Sequence, residues 1–117
     1  MKDSTLQELI DDLQQTLHTF FSTIDTGDVY PDEISGINHD IYSQINNLYD
    51  RQEEVMTTDQ EAALCLALLM GYSVSMYANL EDEEKRKSVL VHSHRVLNSL
   101  PSSSLKHQLQ DQLLKME

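Results

Sequence analysis

Glycine and proline are scarce in this sequence, at 3 and 2 of 117 residues. Sandwiches and barrels need a tight turn every few residues, so an all-β chain is excluded. There is one cysteine, Cys65, which rules out an intramolecular disulfide framework and fits a reducing compartment. Basic residues are few: 8 Lys and Arg stand against 20 Asp and Glu, a net charge of −12. Proteins grip phosphate backbones through Lys and Arg that displace counterions, so direct nucleic-acid binding is disfavoured. No apolar stretch is long enough to span a membrane. The longest, Ala62 to Ala78, is interrupted by Gly71, Ser73 and Ser75 and reads as a buried helix. The opening Met1-Lys2-Asp3-Ser4 lacks the basic and apolar regions of a secretory signal, so a soluble, cytoplasmic protein is expected.

What is present is helical periodicity. Leu6, Leu9, Ile10, Leu13, Leu17, Phe20, Phe21 and Ile24 trace one stripe, predicting a helix over about 4–23 with Ser4 and Gln7 as its capping box. Pro31 suits a first helical position and opens a helix over about 31–54. Its inner stripe is Ile34, Ile37, Ile41, Ile45, Leu48, Tyr49 and Val55, its outer side Asn38, Asp40, Ser43, Asn47 and Asp50, and Gly36 is where it would bend. Thr58-Asp59-Gln60-Glu61 reads as a capping box for a helix from 59 to about 78. That helix is apolar nearly all round, so it should lie at the centre. A fourth helix starts on the acids Glu81 to Glu84 and stops at Pro101; a fifth, capped by Ser102-Ser103-Ser104, buries Leu105, Leu109, Leu113 and Met116. The expected architecture is all-α, a single domain over 1–117, built as one bundle of about five helices around a central apolar hairpin.

The charge is unevenly placed. Residues 1–61 hold fourteen acids and two bases, Lys2 and Arg51, while residues 62–117 are balanced. The acidic half favours a basic protein partner and rapid association with it. Asp11, Asp12, Asp25, Asp28, Asp32 and Glu33 are the candidate contact residues, because they are acidic and predicted to be exposed.

Catalytic and metal chemistry finds no support in the residue pattern. Cys65 lies within Leu64-Cys65-Leu66-Ala67-Leu68, where a thiol without a cationic neighbour is inert packing. His92 and His94 are two apart, on opposite sides of a helix, and cannot share one ion. Counted from Asp25, a calcium loop would need an acid at position 3 and Glu at position 12, where Gly27 and Gly36 stand. The serines after Pro101 lack a nucleophile elbow. No catalytic residue, cofactor site or metal site is assigned, and an enzyme is not expected. Met70, Tyr72, Met76 and Tyr77 on the central helix read as core.

Glu61-Ala62-Ala63-Leu64-Cys65-Leu66-Ala67-Leu68-Leu69-Met70-Gly71-Tyr72-Ser73 resembles the E-A-x-L-C-L-A-L-L-M-G-Y segment of the UpxZ family. Val96-Leu97-Asn98-Ser99-Leu100-Pro101-Ser102-Ser103-Ser104-Leu105-Lys106 is similar to that family's V-L-x-x-L-P-x-S-L-L-K, and Asn38-His39-Asp40-Ile41-Tyr42 to its N-x-D-[VI]-Y. The resemblance covers roughly 28–110, with 61–73 its most specific part; the opening helix matches in pattern. It implies a regulator that antagonises UpxY proteins, NusG-like antitermination factors of capsular-polysaccharide loci. An UpxZ from one locus blocks the UpxY factors of others. The resemblance also implies a further acidic helical segment after the L-L-K region; with its last residue at Glu117, this chain is expected to be either a short member of the family or one that lacks that segment. Two other classes remain open. One is a tetratricopeptide-like adaptor holding an amphipathic segment against the hairpin 59–100, although the 30 residues from Gly71 to Pro101 exceed that repeat's spacing. The other is a homodimer with a structural role.

Overall fold

The computed structural model describes residues 5–26, 31–74 and 80–116, with side chains over 5–24, 34–74 and 80–116. The periodic stripes become five α-helices: α1 (Leu6–Thr26), α2 (Pro31–Asp50), α3 (Thr58–Val74), α4 (Leu80–Ser99) and α5 (Ser104–Met116), with a 3-10 turn at Gln52–Glu54. No strand occurs among the described residues. α3 packs against all four other helices, α1 packs on α2, and α4 packs on α5. The molecule is therefore two three-helix layers that share α3. Every residue from Leu64 to Leu69 is buried, a run covering the full circumference of α3. A helix with no polar face can be solvated nowhere, so the amphipathic helices wrap it.

Thr5 caps α1, its Oγ1 accepting the Glu8 amide at 3.2 Å; Ser4, the expected cap, lies outside the described residues. Thr57, not Thr58, caps α3: its Oγ1 accepts the Gln60 amide at 3.0 Å, and Gln60 Oε1 accepts the Met56 amide at 2.8 Å. The pairing needs partners three positions apart, and both Thr57/Gln60 and Thr58/Glu61 satisfy that in sequence; only the backbone path chooses. Ser103 caps α5 through the Lys106 amide at 3.2 Å, from within the predicted serine run.

α2 is helical through Gly36 and ends at Asp50, earlier than expected, in the 3-10 turn. Gly71 lets α3 approach α2 closely. A Cβ there would stand 2.7 Å from Ile45 Cγ1, and Ile45 is fully buried.

Asn38 is corrected from the outer side of α2 to the core. It is completely buried, and its Nδ2 donates to the Val74 carbonyl at 2.8 Å. The last carbonyls of a helix lack partners within it, and Asn38 supplies one for α3. Phe21 and Ile24 are corrected in the opposite sense: expected on the inner stripe of α1, they are 40% and 45% exposed. Adjacent helical residues diverge by 100°, so the core takes Phe20 and not Phe21.

Candidate interaction surface

The acidic half is carried by α1, α2 and the turn after them. On α1, Asp11 and Asp12 are both exposed, as predicted. Asp11 Oδ1 accepts from Gln7 Nε2 at 3.0 Å, one turn earlier on the same helix. Asp25 lies on α1, and Asp32 and Glu33 on α2, but their side chains fall outside the described set; Asp28 lies outside the described residues altogether. Asp40 and Asp50 of α2 are exposed, in keeping with their reading on its outer side, and extend the same acidic half, though neither is among the candidate contact residues. The uneven charge count over 1–61 was the signal that included them. Neither α1 nor α2 has a basic residue in its last turn, so the negative ends of both helix dipoles lack a cation from their own helix.

Arg51, the base of this half among the described residues, is committed locally. It holds Glu54 through two contacts of 2.6 Å, Nε to Oε2 and Nη2 to Oε1. That hydrogen-bonded pairing holds the Glu54 carboxyl below the usual carboxylate range.

Clefts open between the helices. One of about 550 Å³ lies between the start of α1 and the approach to α3, lined by Leu6, Gln7, Arg51, Met56 and Gln60 among others. A second, about 380 Å³, runs between α4 and α5 over Leu97, Leu113, Leu114, His94 and Asp111. A third, about 280 Å³, contains Glu61, His92, Arg95 and Ser99. In it His92 Nε2 lies 2.5 Å from Glu61 Oε1, and Nδ1 lies 3.3 Å from Gln52 Oε1. Both ring nitrogens face these oxygens, so neither activates the Ser99 or Thr58 hydroxyl that lines the same cleft. The pair instead joins α3, α4 and the 3-10 turn. His94 faces the other way, into the α4–α5 groove, as the two-residue spacing requires.

Cys65 is buried, and desolvation pushes its thiol up to about 11 despite an opposing hydrogen bond with Ser93. Burial likewise raises the Tyr72 phenol above its ordinary value, and its hydroxyl has no hydrogen-bond partner among the described residues. Tyr72 and Met70 pack against the core, as read from the sequence, while Met76 and Tyr77 lie outside the described residues. Among the described residues no cluster of three or more His, Cys, Asp or Glu is placed to hold a metal, and no helix is long and apolar enough to cross a membrane. From Leu64 to Leu69 α3 is buried among its four neighbours.

Fold and surface together define a small all-helical protein with an acidic outer half suited to protein contacts. Comparison with known families makes this specific. The model of the UpxZ family of transcription anti-terminator antagonists matches residues 10–114, and the chain belongs to that family. The fold is similar to the crystal structure of a transcription anti-terminator antagonist UpxZ from Bacteroides uniformis ATCC 8492. Identity is 28%, the TM-score is 0.78, and the match covers 94% of this chain and 67% of that one. No curated protein matches the sequence.

Proposed function

We propose that this protein inhibits non-cognate NusG-like antitermination factors of the UpxY type, and so restricts transcription to one capsular-polysaccharide operon at a time. It acts in the cytoplasm by direct contact with the factor, not with nucleic acid. The acidic outer side of α1, with Asp11 and Asp12, docks on a basic face of the NusG-like domain. Asp25, Asp28, Asp32 and Glu33 belong to the same contact. The observation that carries this reading is the concentration of charge: the net −12 of the whole chain resides in residues 1–61. A surface of one sign steers a complementary partner and speeds its association.

The test is calorimetric titration against several purified UpxY factors at two salt concentrations, with association kinetics alongside. Non-cognate factors bind, and more weakly at high salt. Replacing Asp11, Asp12, Asp28 and Asp32 together by Lys slows association by about tenfold or more at low salt. Absence of binding by every factor removes the proposed function; binding with unchanged association in the Lys variant removes the acidic interface.

A further inference from the structure

The acidic half also carries an apolar feature. Phe21 and Ile24 are 40% and 45% exposed and lie three residues apart, on one side of the last turns of α1. The other large exposed apolar residues described, Met56, Leu80, Val91 and Leu114, have no such neighbour within a helical turn. Apolar side chains scattered singly over a surface need no explanation, whereas a paired aromatic and aliphatic residue makes a patch.

The Phe21 ring is also held. It meets Phe20 edge to face, with centroids 5.7 Å apart and planes at 73°. Phe20 is 7% exposed and belongs to the core, so a fixed ring supports a surface ring. A side chain already ordered loses little rotamer freedom when a partner covers it. The half of the chain that carries Phe21 holds the whole net charge of −12, and α1 has no basic residue in its last turn. Aromatic anchors of this kind, filling a pocket inside a charged rim, carry most of the energy of protein interfaces, while the rim charges set the rate of encounter.

We propose that Phe21 and Ile24 are the apolar anchor of the acidic face, and that they insert into an apolar pocket rimmed by Lys and Arg on the partner protein. This rests on the proposed function, because the partner is taken to be the same antitermination factor. It adds a division of labour: the acids govern association and the anchor governs dissociation.

The experiment is surface-plasmon resonance of the full chain against a UpxY factor that binds it, comparing wild type with Phe21→Ala, Ile24→Ala and Phe21→Trp at two salt concentrations. Circular dichroism confirms that each variant is folded, and Ile24→Ala serves if Phe21→Ala is not. The Ala variants dissociate about tenfold or more faster, with association rate and salt dependence unchanged, and Phe21→Trp keeps slow dissociation. Wild-type dissociation in both Ala variants, beside normal wild-type binding, overturns the anchor and leaves the proposed function intact. If wild type binds no factor, the proposed function fails and the anchor with it.

Discussion

Single residues show how burial assigns chemistry. Cys65 had the composition of a candidate nucleophile and the neighbourhood of a core residue, and desolvation decides for the second by moving its thiol from 9 to about 11. The native thiol should therefore resist iodoacetamide at pH 8 and react only as fast as the protein unfolds; labelling of native and urea-unfolded protein at equal rates would contradict this. The same shift sets a pH dependence. Between about 9 and 11 the folded state binds the extra proton, so the stabilisation is complete below pH 9 and is lost as pH rises through 11. Asn38 makes the complementary point. An asparagine among Asp40, Ser43 and Asn47 reads as surface, and nothing in its own segment tells that the end of α3, 36 residues away, brings it a bare carbonyl.

Among the helices, α3 dictates the arrangement. Its unbroken apolar circumference was plain in the sequence, and so was its central place. Less plain was the reason for Gly71. A glycine inside a helix costs about 1 kcal/mol relative to alanine, so on propensity alone Gly71→Ala would stabilise. The 2.7 Å approach of its missing Cβ to the fully buried Ile45 reverses the sign. Gly71→Ala should destabilise the fold by about 1–3 kcal/mol, measured by urea unfolding. A gain in stability would mean that α2 retreats from α3 without loss. The ends of α1 and α3 show the limit of local patterns. Ser/Thr-x-x-Glu/Gln recurs at neighbouring registers, and the cap falls where the incoming backbone turns, at Thr5 and Thr57.

For the molecule as a whole, charge is the dominant property. Fourteen acids over the first 61 residues repel one another in the folded state more than in an extended chain. Added salt should therefore raise the melting temperature by several degrees between about 10 mM and 0.5 M NaCl, because the screening length falls to a few ångströms. A melting temperature independent of salt would show the repulsion to be offset by local pairings such as Arg51–Glu54 and Arg86–Glu83.

The sequence by itself determined helix number, the central place of α3, the acidic half and the family. Each of these is written in local periodicity, in summed charge or in one contiguous block, 61–73, and needs no knowledge of what packs on what. Tertiary structure alone decided which of two neighbouring phenylalanines enters the core, which asparagine is buried, why position 71 is glycine, and that Glu61, Gln52 and His92 meet. Those outcomes depend on distances between residues far apart in the chain. Close packing fixes such distances to fractions of an ångström, and a pattern along one helix carries no record of them.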